Sequence, residues 1–173
     1  MREAIDARSL KLVKQFAPDL NKKLNRELNT ILGKVVDRAR GFVPAESPMS
    51  GWTPATQGKG LWASKAFDQS TVQRGITKTR AGRTRHTREG WASSFAILDR
   101  TAAGVIYESA GTRTSGRTPA GRQFIQNIAN RSGIGIGRHR MIVEAVIEMR
   151  PTIRREIDQT VDNAIKEFNA RMI

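Results

Sequence analysis

The chain lacks cysteine and has only two histidines among its 173 residues. Without cysteine there is no disulfide framework, no thiolate zinc site and no cysteine nucleophile. Two histidines leave little room for a histidine-based metal cluster. No apolar run approaches the ~18 residues of a membrane span, and the first residues lack the apolar stretch of a secretory signal. We therefore expect a protein with no membrane contact, no metal and no cofactor.

Acidic residues are scarce, with 16 Asp+Glu against 30 Lys+Arg and a net charge of +14. They are absent from two whole stretches, Gln69 to Arg88 and Ser109 to Val143. Dense charge of one sign faces a polyanion or an acidic partner, or repels itself and stays mobile. We expect two basic arms, 74–88 and 113–140, that are mobile in the free protein and contact a partner or DNA. The candidate contact residues are Arg74, Lys78, Arg80, Arg83, Arg85, Arg88, Arg113, Arg117, Arg122, Arg138 and Arg140.

Two amphipathic helices frame the chain. Apolar residues three and four apart from Leu20 to Ala39 predict a helix that begins at Pro18 and ends at Gly41. A shorter helix, about Ile5 to Phe16, is expected before it. A second stripe from Ile153 to Met172 predicts a C-terminal helix. Pro151 is expected to restart or kink that helix after the apolar segment 141–149.

The middle of the chain shows strand and loop signals. Residues 44–60 are rich in Pro, Gly, Ser and Thr, which predicts a loop. Alternation from Trp91 to Ile97, followed by Val105 to Tyr107, predicts a hairpin with its turn at 99–104. Residues 72–80 are predicted to be extended, and Arg122 to Ala129 to form a short helix.

These segments together predict an α+β fold in a single domain, 1–173. The long N- and C-terminal amphipathic helices pack on a small antiparallel sheet, and extended basic loops or arms project from it. The helical N-terminal segment is 1–43, the loop and β region with the basic arms is 44–140, and the C-terminal helix is 141–173.

Two tryptophans lie in or beside the predicted loop. Trp52 and Trp62 can anchor this loop on the core or on a neighbouring subunit, and we assign them to subunit packing because aromatic anchors dominate interfaces. A base-stacking platform is the alternative, but aromatic residues make up only 6% of the chain.

Catalytic chemistry has no good candidate in this sequence. Glu144 and Glu148 lie four residues apart, so they share a helix face and could in principle hold a hard cation; such pairs usually face solvent. The glycines at 133, 135 and 137 lack the Lys-Ser/Thr pair of a phosphate-binding P-loop, and no predicted strand leads into them. We therefore expect a protein that is not an enzyme.

The order of features resembles one family. A long helix runs into Asp37 to Pro44, a loop follows, a Gly-Trp strand start stands at Gly90 to Phe95, and Gly104 to Arg113 includes a Tyr-Glu and a Gly-Thr pair. This order resembles the tail-completion, or neck, proteins of long-tailed bacteriophages, also called minor tail components. In that family a strand ends at the Gly-Thr element and a helix packs back across the sheet. The chain departs from the family in a longer segment at 114–137.

The resemblance implies a mechanical role. It implies a structural protein of the virion, made in the host cytoplasm, that forms a homo-oligomeric ring, commonly six-fold. Such a ring joins the head connector or stopper to the tail terminator or tail tube, and genomic DNA passes through it. Most basic residues are then expected to contact neighbouring proteins, because tight binding of DNA would hinder ejection. The alternatives are a small, basic, non-specific nucleic-acid-binding protein and, less well supported, a basic nuclease.

Overall fold

The computed structural model describes residues 18–49, 52, 66–80, 85–87, 90–92 and 95–171, and it confirms an α+β fold. Helices dominate, and the strands are short. The helices are α1 (Pro18–Gly41), α2 (Gln69–Gly75), α3 (Ala102–Ser109), α4 (Pro119–Ser132) and α5 (Ile142–Arg171). The strands are β1 (Ile76–Arg80), β2 (Arg85–Thr87), β3 (Gly90–Ala92) and β4 (Phe95–Asp99). Helix α1 has the bounds that the sequence predicts.

The chain divides into two compact units. Unit 1 comprises Met1–Lys34, Lys78–Ala96 and Met149–Ile173, and unit 2 comprises Val35–Thr77 and Ile97–Glu148.

In unit 1, α1 and α5 pack side by side and run in opposite directions. Lys23 forms an ion pair with Glu167 and Lys34 forms one with Glu156, each at 2.7 Å. As the residue number rises along α1, the number of the partner residue on α5 falls, which shows that the two helices are antiparallel. Leu24 and its neighbours Leu20 and Ile31 are buried on α1. The partly exposed ion pairs add at most about 1 kcal/mol each, so burial of the apolar stripe supplies most of the stability here.

In unit 2, the core contains a chain of aromatic rings. The ring of Trp52 lies 5.4 Å from that of Phe67 and 6.1 Å from that of Phe124, centroid to centroid. Phe67 in turn lies 5.9 Å from Tyr107. The N–H of Phe67 donates to the carbonyl of Trp52 at 2.9 Å, so backbone and rings fix the same arrangement. These contacts join the loop before α2 to helices α3 and α4.

The strands form two separate pairs among the described residues. β1 pairs with β4, and β2 pairs antiparallel with β3, with Arg85 opposite Ala92 and Thr87 opposite Gly90. The predicted hairpin between 91–97 and 105–107 is wrong, since residues 105–107 belong to α3.

Helix α3 forms where the sequence predicts a strand. The hydroxyl of Thr101 accepts the N–H of Gly104 and so caps the helix start. Ala103 and Tyr107, four residues apart, are both 3% exposed, whereas Val105 is 47% exposed. The run Val-Ile-Tyr resembles a strand locally, but the cap and the four-residue spacing of buried positions favour a helix. The strand that the phage-family resemblance implies before the Gly-Thr pair is therefore a helix in this chain.

The first predicted basic arm is largely regular structure. Asp68 caps α2 by accepting the N–H of Thr71 at 2.8 Å, and Val72 and Ile76 are fully buried. The hydrogen bonds from Thr71 and Ser70 hold the pKa of Asp68 below its ordinary value. The prediction of an extended segment is thus wrong for residues 72–75, which belong to α2, and residues 76–80 are extended but paired. Arg83 and Arg88 lie outside the described residues.

The second predicted arm contains α4. Thr118 accepts the N–H of Gly121, Pro119 occupies the first turn, and Gly133 ends the helix in the left-handed conformation with a φ of 67°. These caps extend the predicted helix by three residues at each end. The prediction of a mobile arm is therefore wrong for residues 119–132.

Helix α5 runs without interruption from Ile142 to Arg171, with Pro151 inside it. A restart of the helix at Pro151 is therefore wrong. Among the described helices, none combines the length and the apolar character that a membrane crossing requires. The predicted helix Ile5–Phe16, residues 53–60 of the predicted loop, and Trp62 lie outside the described residues.

Candidate functional site

A buried carboxylate holds the start of α5 in unit 2. Glu108, at the end of α3, is 9% exposed. Its carboxylate oxygens accept the backbone N–H groups of Arg140, at 3.0 Å, of Met141, and of Val143, at 3.1 Å. The first N–H groups of a helix have no partner inside the helix, and the helix dipole favours negative charge there. Glu108 therefore caps α5 from 32 to 35 residues away in sequence.

A buried guanidinium holds the end of α3 in return. Arg140 is completely buried, and its Nη1 donates to the carbonyls of Tyr107, at 2.8 Å, and Ala110, at 2.7 Å. Its Cζ lies 5.8 Å from the ring centroid of Tyr107. Cations are favourable at a helix C-terminus, where carbonyls lack partners. The two charged side chains thus cap each other's helix, which fixes the junction of α3 and α5.

Burial changes the ionisation of this cluster. It lowers the pKa of the Arg140 guanidinium, while Tyr107 and Glu108 oppose that change. It also raises the pKa of Tyr107, whose ring forms part of the core. His139 Nδ1 lies 3.6 Å from Glu108 Oε1. The Nε and Nη2 atoms of Arg140 are buried without a hydrogen-bond partner, so this cluster is costly to assemble unless the charges balance. We therefore assign it a structural role.

The predicted contact residues of the first basic stretch are only partly available to a partner. Arg74 is exposed and donates to the carbonyl of Ser70 at 3.3 Å. Lys78 is exposed, but its Nζ donates to the carbonyl of Asn29 at 2.6 Å. The side chains of Arg80 and Arg85 lie outside the described part of the structure.

The predicted contact residues of the second stretch fall into three groups. Arg113, Arg117 and Arg122 are exposed. Arg138 forms an ion pair with Glu144 at 2.7 Å. Arg140 is a correction: as a contact for DNA or a neighbouring protein it is wrong, because its guanidinium is buried and bound to the end of α3.

Trp52 is a second correction. It is 6% exposed and packs on Phe67 and Phe124 of its own unit. Its assignment to subunit packing is therefore wrong, and it anchors the loop on its own core, which was the other interpretation. The position of Trp52 in the predicted loop 44–60 could not show whether it packs on its own core or on a neighbouring subunit.

An exposed apolar stripe lies on the first turns of α5. Val143, Val146 and Ile147 are 36%, 40% and 56% exposed, and their spacing of three and four places them on one helix face. Ala145 of the same helix and Met141, just before its first residue, are fully buried. Contiguous exposed apolar residues mark sites of contact with other molecules. We call Val143, Val146 and Ile147 the α5 stripe.

Catalytic or metal chemistry finds no support in the described residues. They contain no group of three or more Asp, Glu or His that could hold a metal ion. Glu144 binds Arg138 and Glu148 binds Arg38, so each carboxylate of the pair is engaged by a cation. A shallow depression in unit 1 is lined by α5 alone, from Pro151 to Lys166, and a single helix face cannot enclose a substrate.

Sequence reasoning missed two features of unit 2, the Glu108 cap and the α5 stripe. Glu108 is the only acidic residue between Asp99 and Glu144, and this isolation in a basic region was a usable signal. The stripe gave no such signal, because the apolar segment 141–149 indicates a core helix as readily as an interface.

No protein-family model, no curated protein and no solved structure matches the chain.

Proposed function

We propose that this chain is a structural protein of the bacteriophage head–tail junction. It forms a homo-oligomeric ring between the head connector and the tail tube, and the ring surrounds the channel for genomic DNA. The observation that carries the proposal is the residue order that resembles the neck-protein family, above all the long helices on either side of the segment Gly104 to Arg113. That segment itself departs from the family, because it begins as a helix where the family has a strand.

The capped junction in unit 2 supports a mechanical role. Tyr107 and Glu108 belong to the segment behind the resemblance, and both are used to fix α3 against the start of α5. A protein that transmits load in a virion needs rigidly joined elements more than a flexible pocket. The engaged carboxylates of Glu144 and Glu148 fit the same role.

The α5 stripe supports assembly. It exposes three aliphatic side chains on one face of a helix whose start is held firmly by Glu108. A ring needs a contact between two different surfaces of the same chain, repeated around an axis. A rigid apolar face can supply one of those surfaces.

Electron microscopy of the purified chain tests this proposal. We expect closed rings of uniform subunit number with a central channel, and added head-connector protein is expected to bind one face of the ring. A monomer that neither assembles nor binds a connector, but binds DNA, would contradict the proposal and favour the non-specific nucleic-acid-binding alternative.

A further inference from the structure

One short segment of unit 2 carries three exposed arginines within ten residues. Some other arginines of this unit have carboxylate partners, as in the pairs Arg38–Glu148, Arg40–Asp37 and Arg138–Glu144. Arg74, Arg100 and Arg131 are exposed without such a pair among the described residues, but they lie far apart in sequence. Glu108, the one acid near the segment in sequence, is occupied by backbone N–H groups. The three exposed arginines of the segment have no ion pair with the described residues: Arg113, Arg117 and Arg122. We call residues 112–123, which comprise the loop before α4 and the first turn of that helix, the arginine loop.

The backbone of the arginine loop is folded back on itself. The N–H of Gly116 donates to the hydroxyl of Thr114 at 3.2 Å, and Gly116 has a φ of +100°. A Cβ at this glycine would lie 2.6 Å from the backbone nitrogen of Arg122, so position 116 touches the first turn of α4. Arg117 and Arg122 are thereby held close in space although five residues apart. Arg113 lies three residues before Gly116 in the same segment.

The other residues of the arginine loop fit phosphate better than protein. They are Thr, Ser, Gly, Pro, Ala and Gln, and no large apolar side chain is among them. Protein interfaces depend on buried aromatic or aliphatic anchors, which this loop lacks and the α5 stripe supplies. Phosphate oxygens accept hydrogen bonds from guanidinium groups, hydroxyls and backbone N–H groups, all of which the loop offers. The first turn of α4 contains no acidic residue that would repel an anion.

We infer that the arginine loop binds the phosphate backbone of duplex DNA without sequence preference. This inference deepens the proposed function, and it rests on that function only for placing the loop at the DNA channel. It assigns these three arginines to DNA, whereas the sequence alone led us to expect protein contacts for most of the basic residues. With only three phosphate contacts per chain, each subunit has a low affinity for DNA. Weak, salt-sensitive contacts are compatible with DNA moving past.

Fluorescence anisotropy with a labelled duplex of mixed sequence tests the inference. The test variant is Arg113→Gln/Arg117→Gln/Arg122→Gln. The control variant, Arg26→Gln/Arg150→Gln/Arg155→Gln, removes the same charge from three other exposed arginines without ion pairs among the described residues. Affinity is measured from about 50 to about 200 mM salt. Each lost phosphate contact reduces the slope of log affinity against log salt by about 0.9. We therefore expect the test variant to bind at least about tenfold more weakly, with a slope lower by about 3, and the control to stay near the unaltered chain.

Equal weakening in both variants would overturn the inference, because total charge rather than the loop would then govern binding. Tighter binding of polyglutamate than of duplex DNA through the same arginines would also overturn it, in favour of an acidic protein surface. Failure of this inference can be distinguished from failure of the proposed function. Rings without DNA binding would remove this inference alone, and loop-dependent DNA binding by a permanent monomer would remove the ring alone.

Discussion

At the scale of single residues, the balance of two buried charges decides whether unit 2 holds together. The side chains of Glu108 and Arg140 form no salt bridge with each other; Glu108 accepts backbone N–H groups at the start of α5, and Arg140 donates to backbone carbonyls at the end of α3. The sequence could not show this, because the partners are about 30 residues apart and a basic residue between acid-free neighbours resembles a surface group. What it could show was the isolation of Glu108 among cations.

Replacement of Glu108 by Gln tests this balance. The change keeps the shape of the side chain but removes the negative charge that offsets buried Arg140 and the positive start of α5. Breaking such a buried arrangement costs about 3 kcal/mol. We expect urea unfolding, followed by circular dichroism, to show a loss of that size in Glu108→Gln. Exposed Glu46→Gln serves as the control and should change the free energy of unfolding by less than about 0.5 kcal/mol. Equal effects from the two substitutions would contradict the role of Glu108.

Two helical glycines should respond oppositely to alanine. A Cβ at Gly104 would lie 1.7 Å from Asp99 Oδ2 and 2.7 Å from Thr101 Oγ1. A Cβ at Gly33 would meet only the flexible tip of Lys78, at 3.2 Å. Alanine normally stabilises a helix interior by about 0.5–1 kcal/mol relative to glycine. We expect Gly33→Ala to be neutral or stabilising and Gly104→Ala to be destabilising by more than about 1 kcal/mol. Thermal unfolding measures both, and stabilisation by Gly104→Ala would show that Asp99 does not pack there.

At the scale of elements, long periodic patterns were predictable and short ones were not. The bounds of α1, Pro18 and Gly41, were predictable because many apolar residues at helical spacing lie on one face of this helix. Helix α3 has only eight residues, and its Val-Ile-Tyr run favours a strand until Tyr107 is seen to share a buried face with Ala103. Helix α2 was missed for the same reason, since Val72 and Ile76 are the only strong signals in a Thr-rich segment.

Pro151 makes α5 less stable than its length suggests. Proline removes an N–H from the helix and clashes with the carbonyl four residues earlier, which costs about 3 kcal/mol in a helix interior. Pro151 is exposed, so no side-chain packing requires it. We expect Pro151→Ala to raise the free energy of unfolding by about 1–3 kcal/mol in urea titrations. Gln159→Ala, at an exposed position of the same helix, should change it by a few tenths. A loss of stability in Pro151→Ala would mean that α5 requires the local distortion.

At the scale of the whole molecule, the net charge is +14, and only some of the basic side chains have acidic partners. Lys23, Lys34 and Arg38 form ion pairs across helices, and Arg140 is buried. The arginine loop of unit 2, in contrast, carries three exposed arginines without ion pairs among the described residues. The apolar contact surface lies elsewhere in that unit, on the α5 stripe. Sequence arithmetic located the charge excess correctly in the middle of the chain, but only the packing distinguishes a buried arginine from an exposed one.

Light scattering of the purified chain measures its mass in solution and so shows directly whether it assembles into a ring. We expect one species with a mass several times 19.2 kDa, and six times that mass for the six-fold symmetry common in the neck-protein family. Val146→Glu/Ile147→Glu should reduce that mass to a single chain while circular dichroism stays unchanged. Ile165→Glu, which charges an isolated exposed apolar residue of unit 1, should leave the assembly intact. A mass of 19.2 kDa for the unaltered chain at every concentration, with and without duplex DNA, would contradict the account.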